Sequence, residues 1–184
     1  TIERHWLARG DFIHLESGGT MAEEALAAYE EALRLNPLLK EAWTGKAVVL
    51  LEQRQHEEVL EKALRRNPAL KDPRTGEAYA LIGPRLYEEA LLASEEALQL
   101  DPAYFRAWKI KAHVLAGLKR YEESLQAYDE ALQAYEKLLR ENSTRSRFWY
   151  ADTWHWKSKV LKTMGRKREA NQAKKRARQH GYPF

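Results

Sequence analysis

The chain has 184 residues, 32% charged and 44% hydrophobic, with nine glycines, six prolines and no cysteine. It is too apolar for disorder, the missing cysteines exclude disulfides and thiolate chemistry, and no apolar run reaches the ~18 residues of a membrane helix. Net charge is +4 but uneven, because residues 144–184 hold twelve Lys/Arg against two Asp/Glu; an acidic body with a basic end suits an anionic partner or an acidic neighbour. Opening on Thr1 with no signal peptide, the sequence reads as a fragment or processed chain of a reducing, cytoplasmic compartment.

Apolar residues recur at three- and four-residue spacing and no segment alternates, so every predicted element is a helix. Five pairs follow in order, at 3–36, 39–67, 71–101, 104–142 and 146–180, within one domain spanning 1–184. In the first, a helix with Trp6, Gly10 and Ile13 breaks at Ser17-Gly18-Gly19-Thr20. Thr20 is placed to cap Ala22–Leu35, which Asn36-Pro37 stops. The second pair has Trp43, Ala47 and Leu50, a turn near Gln53–Gln55, and a helix Glu57–Arg66 ending at Asn67-Pro68. The third opens at Asp72-Pro73 with Asp as N-cap, closes a short helix at Gly83-Pro84, and runs on as Leu86–Leu100 to Asp101-Pro102. The fourth has Trp108, Ala112 and Leu115, with Gly117 near its turn. Its second helix, from Tyr121, overruns: Leu125, Tyr128, Leu132, Tyr135, Leu138 and Leu139 keep helical spacing to Glu141, and Asn142-Ser143-Thr144 is the first break. The fifth begins near Ser146, and Trp154, Val160 and Leu161 repeat Trp108, Val114 and Leu115. Its last helix, Arg168–Gln179, shows only Ala170, Ala173 and Ala177 as an apolar stripe before His180-Gly181.

The units repeat one another. Ala25 to Pro37, with Tyr29, Ala32 and Asn36 at fixed places, matches Ala90 to Pro102, with Ser94, Ala97 and Asp101. Tyr87-Glu88-Glu89-Ala90-Leu91 likewise matches Tyr121-Glu122-Glu123-Ser124-Leu125. A period of about 34 residues built from helix pairs is the mark of a solenoid. With Trp43 and Ala47, Trp108 and Ala112, and Trp6 and Gly10 at the fourth and eighth places, the chain resembles the tetratricopeptide repeat family over nearly its whole length. The small residues let paired helices approach, and the Trp and Tyr rings fill the gaps between pairs. Arg74 stands where a Trp is expected, the second unit is three residues short, and twelve extra residues separate the last two pairs. The resemblance implies an all-α fold, a right-handed α-solenoid of antiparallel helix pairs with a polar C-terminal capping helix.

It also implies a non-enzymatic scaffold that binds an extended or helical peptide in a concave groove lined by the first helix of each pair. The groove candidates are Val48, Leu51, Tyr79, Arg106, Lys109, His113, His155, Lys159 and Lys162, apolar in the middle and basic toward the C-terminal end. Asp152 holds another groove position. A basic lining selects carboxylates, so the expected partner is a protein or peptide with acidic character; the alternative is that these side chains only solvate their helices. Members of the family that grip chaperone tails use a Lys/Asn/Asn/Lys/Arg clamp; Leu7, Asp11 and Val48 stand in three of its places, which argues against such tails.

Two other surfaces compete. Arg166, Lys167, Arg168, Lys174, Lys175, Arg176 and Arg178 make the last helix either the polar cap a solenoid end needs or a contact for nucleic-acid phosphates or an acidic membrane surface. Phe148, Trp149, Tyr150 and Trp156, in the extension at 135–156, either pack on Tyr135 and Leu138 or present a self-association surface. No cofactor, catalytic or metal site is read. Ser17-Gly18-Gly19-Thr20 lacks the lysine of a phosphate loop and no Gly-x-Ser-x-Gly elbow occurs. His56-Glu57-Glu58 lacks the second histidine of a zinc helix, since Leu60 takes its place. His113 and His155, expected as neighbours, read as polar groove residues rather than a two-histidine metal site.

Overall fold

The computed structural model describes residues 1–17, 21–66, 73–141 and 147–183, and the side chains of all of these except 17, 55–66, 73–85 and 141. Every element among them is an α-helix, as expected. One unit, Thr1–Leu100, contains α1 (Ile2–Ser17), α2 (Ala22–Leu35), α3 (Lys40–Arg66) and α4 (Pro73–Leu100). The other, Asp101–Phe184, contains α5 (Phe105–Gly117), α6 (Tyr121–Glu141), α7 (Phe148–Thr163) and α8 (Lys167–Gln179). In the first unit α1 packs on α2, α3 on α4, and α2 on α3. In the second α5 packs on α6 and α7 on α8, while α6 and, more lightly, α5 meet α7. These are stacked helical hairpins, the architecture the repeat implies.

Two expected breaks are absent. The turn near Gln53–Gln55 and the stop at Gly83-Pro84 both fall inside continuous helices, α3 and α4. Gln53, Arg54 and Gln55 are good helix formers with no Gly or Pro among them, so nothing local opposes continuation. Pro84 removes one backbone donor, yet α4 runs through it. The proposed caps Thr20 and Asp72, and the break at Asn142-Ser143-Thr144, lie outside the described residues.

Two loops are built alike. After α2, the Leu38 N–H donates to Asn36 Oδ1 at 3.0 Å, and the Trp43 indole N–H donates to the Pro37 carbonyl at 2.9 Å. After α4, the Ala103 N–H donates to Asp101 Oδ1 at 3.0 Å, and the Trp108 indole N–H donates to the Pro102 carbonyl at 2.8 Å. The Asn/Asp-Pro pair thus stops the helix and also presents a carbonyl that anchors the Trp opening the next one. No Asn/Asp-Pro pair stands between Trp108 and Trp154 in the sequence; the Trp154 ring lies edge-on to Tyr150 at 6.3 Å and under the Arg176 guanidinium at 4.7 Å.

The turns inside the two C-terminal pairs also match. Arg120 N–H donates to Leu115 O and Lys119 N–H to Ala116 O; one repeat later Arg166 N–H donates to Leu161 O and Gly165 N–H to Lys162 O. Each is a Schellman cap needing a left-handed residue. Gly165 supplies it at φ 77°, whereas Lys119 adopts φ 61° with a side chain in place. Arg120 then forks onto Glu123, and Arg166 onto Glu169.

The core of the first unit is Leu7, Ala25, Tyr29, Ala32, Leu39, Ala42 and Val49, with Trp6 and Trp43 against it. In the second, Phe105, Leu132, Tyr135 and Tyr150 form a cluster that Leu138, Leu139 and Trp154 cover. The overrunning turns of α6 therefore pack on α7 through the buried Tyr135 and the half-buried Leu138 and Leu139, and Tyr150 donates to Glu136.

Candidate functional site

The first-helix face of the C-terminal unit is where α5 meets α7, and it concentrates charge and aromatic rings. Arg106, Lys109 and His113 rise along α5 at helical spacing, as do Trp149, Asp152, Trp156 and Lys159 along α7. Lys109 and Asp152 form an ion pair, with side chains only 13% and 12% exposed. The Lys109 ammonium also lies 4.5 Å from the Trp149 ring centre, and the Arg106 guanidinium 5.7 Å from it. Lys159 stands 4.2 Å over Trp156. Cations over tryptophan faces are attracted by the ring quadrupole while their remaining N–H donors stay available.

Beneath this layer His113 meets the edge of Trp156 at 4.8 Å and of Tyr128 at 5.5 Å. Its ring donates to the Lys109 carbonyl. Its Nε2 and the Tyr128 hydroxyl are both shut off from solvent, without a hydrogen-bond partner among the described residues. Burial, reinforced by the Lys109 and Lys159 charges, holds the His113 pKa down to about 3 against a weaker upward pull from Asp152. The imidazole is therefore neutral. Burial, then the Asp152 charge, pushes the Tyr128 phenol up.

The groove candidates consequently play different parts. Arg106, Lys159 and Lys162 are exposed. Lys109 is committed to Asp152, and His113 is shielded under the face rather than offered by it. His113 and His155 both approach Trp156, the latter at 5.8 Å, so this ring lies by both histidines. In the N-terminal unit Val48 is half-buried and Leu51 is only 8% exposed, held in the interior. Tyr79 lies in α4 among residues whose side chains are outside the description. Of the clamp places, Leu7 is in the core and Asp11 accepts from the Tyr29 hydroxyl at 2.8 Å.

On α8, Lys167, Arg168, Lys174, Lys175, Arg176 and Arg178 are exposed around the buried Ala170, Ala173 and Ala177; Arg166 bridges Glu169 and Glu122. Of the aromatic extension, Tyr150 is buried, while Phe148 and Trp149 remain 46% and 39% exposed. The pairing of Lys109 with Asp152 had one legible signal, opposite charges at groove positions of successive first helices. The role of Trp149 as a platform for two cations had none, because it depends on which side chains of α5 and α7 meet in space. Among the described residues, no three His, Asp or Glu are placed to hold a metal ion, and no helix is long and apolar enough to cross a membrane.

A family model described as tetratricopeptide repeat matches residues 22–69 and 75–138, more than half of the chain. Among solved structures, the chain is similar to the TPR2B domain of yeast Sti1 in its pHsp70 complex, with a TM-score of 0.53, 16% identity and coverage of 97% of this chain and 98% of that one. It is also similar to the MamA protein (TM-score 0.43, 14% identity, 97% and 91% covered). A third is TTC0263, a thermophilic TPR protein of Thermus thermophilus (TM-score 0.42, 19% identity, 97% and 91% covered). At these identities the Sti1 likeness concerns the fold alone. No curated protein matches the chain.

Proposed function

Since the chain belongs to the tetratricopeptide repeat family, a fold suited to protein–protein interaction, we propose that it is a non-enzymatic, cytoplasmic scaffold whose C-terminal unit binds an acidic protein segment on the α5–α7 face. The observation that carries this reading is the exposure of Arg106, Lys159 and Lys162 on the same helices as the 39% exposed Trp149. Arg106 and Lys159 are already oriented by stacking on Trp149 and Trp156, so less side-chain freedom is lost when they bind. Their free donors suit carboxylates, which form charge-assisted hydrogen bonds. Lys109 acts differently: by neutralising Asp152 it keeps a buried carboxylate from repelling an acidic ligand. A chaperone-tail ligand is disfavoured, since Leu7 and Asp11 are engaged inside the N-terminal unit.

The test is capture from native lysate, with nuclease present, by the wild type and by Arg106→Glu/Lys159→Glu, whose substitutions are both on exposed side chains and leave the Lys109–Asp152 pair intact. A protein retained by the wild type, weakened by added salt and lost with the double variant is the expected result. Identical partners for both proteins, or recovery of nucleic acid alone when nuclease is omitted, overturns the reading and points to α8.

A further inference from the structure

The C-terminal segment returns onto α7 in a defined way. After α8, Gly181 takes φ 88° and donates to the Arg178 carbonyl at 3.0 Å, while the Tyr182 N–H donates to Ala177 O at 3.1 Å. This Schellman cap reverses the chain. His180 then meets Tyr150 edge-on at 4.7 Å. The half-buried Tyr182 ring stacks on His155 at 4.2 Å and 12°, and it lies nearly parallel to Phe148 as well, at 6.5 Å and 16°. Phe148 and His155 are seven residues apart, two turns of one helix face, so their rings bracket a slot for one flat ring. The surroundings are mainly cationic: Lys159 and Lys174 both act on His155, with Asp152 the opposing charge. Phe148 stays 46% exposed although Tyr182 is in place.

We propose that Phe148 and His155 form a receptor slot for an aromatic side chain flanked by carboxylates in the partner segment, and that Tyr182 is an internal ligand which fills the slot until such a segment displaces it. Tyr182 itself shows what the slot accepts, a planar ring followed by proline. Lys159, exposed beside the slot, adds the preference for neighbouring carboxylates. This inference rests on the reading of the α5–α7 face as a site for acidic segments and names the residue that anchors such a segment.

The test uses two fluorescein-labelled peptides, Glu-Glu-Tyr-Pro-Glu and Glu-Glu-Ala-Pro-Glu, titrated by anisotropy. If Tyr182 fills the slot about nine-tenths of the time, apparent affinity is reduced by the open fraction, so Tyr182→Ala binds the Tyr peptide ~10-fold more tightly than wild type. Binding of the Ala peptide stays the same. Tyr182→Phe keeps wild-type affinity because the stack needs the ring and not the hydroxyl. Phe148→Ala, on an exposed side chain, loses the preference for the Tyr peptide. Equal binding of the two peptides by every variant overturns the slot and leaves the acidic-face reading standing. A Tyr preference combined with no weakening by Arg106→Glu/Lys159→Glu overturns the acidic face and the role given to Lys159, and leaves only the ring slot between Phe148 and His155. No binding of either peptide overturns both.

Discussion

Tyr29 and Tyr128 hold the same place in their repeats, and the two units enclose them by different means. In the N-terminal unit the Tyr29 ring is gripped by backbone: a Cβ added at Gly10 would fall 2.7 Å from its Cε1, and one added at Gly45 would fall 2.5 Å from the same atom. Its hydroxyl is satisfied by Asp11. In the C-terminal unit the residue corresponding to Asp11 is His113 and the one corresponding to Gly45 is Trp156. Tyr128 accordingly meets the His113 ring, which Trp156 backs in turn, and its hydroxyl has no partner among the described residues. One pocket is closed by steric fit and the other by aromatic edges beside an ion pair. The first tolerates no added volume, and the second is sensitive to protons and charge.

The largest effect expected from that difference is at Gly45. A Gly→Ala change inside a helix ordinarily stabilises by about 1 kcal/mol; here the added methyl must displace Tyr29, and Gly45→Ala is expected to cost about 3 kcal/mol. Urea denaturation followed by circular dichroism measures it. In a Tyr29→Leu background the penalty should vanish; if it persists, the ring is not what the glycine accommodates.

Next comes pH. His113 has a folded pKa of about 3 against an ordinary value near 6.5 in the unfolded chain. Between those limits the unfolded chain binds one more proton, so stability falls as pH drops, by up to about 1.4 kcal/mol per pH unit. His155 and His180, lowered by partial burial and neighbouring cations, add in the same direction. Denaturation between pH 7.5 and 4.5 should show a clearly flatter loss for His113→Asn than for wild type. Parallel curves would mean that His113 is not buried as a neutral ring.

The smallest effect separates two turns within one unit. Lys119 and Gly165 occupy equivalent left-handed caps, and only Lys119 bears the cost of a Cβ there. Lys119→Gly should raise stability by about 0.5 kcal/mol, and Gly165→Ala should lower it by about 1 kcal/mol. Thermal melts that move both variants the same way would break the equivalence of the turns.

Much of the repeat was legible in residues alone. Trp43 and Trp108, Ala25 and Ala90, Pro37 and Pro102 declare themselves because a stacked hairpin needs small residues where helices touch and a stop where they turn. The loops confirm the spacing down to the indole hydrogen bonds. Helix α3 continues through 53–55 because Gln53, Arg54 and Gln55 have no local reason to leave a helix, whereas α4 runs through Gly83-Pro84 against the local preference of both residues. Among the candidate residues, charge pattern identified Arg106, Lys159 and Lys162 as basic positions on first helices. It could not distinguish them from Lys109, because a lysine committed to a buried partner and a lysine facing water are the same letter.

The sequence by itself determined the periodicity, the helix pairs, the family likeness and the concentration of positive charge after residue 144, since each depends on spacing and composition along the chain. Only the tertiary structure decided that Lys109 neutralises Asp152, that His113 is a shielded neutral ring, that Trp149 carries two cations, and that Tyr182 folds back between Phe148 and His155. Those outcomes depend on distances between residues tens of positions apart, and desolvation and ring stacking act through distance in space, which one-dimensional spacing does not encode.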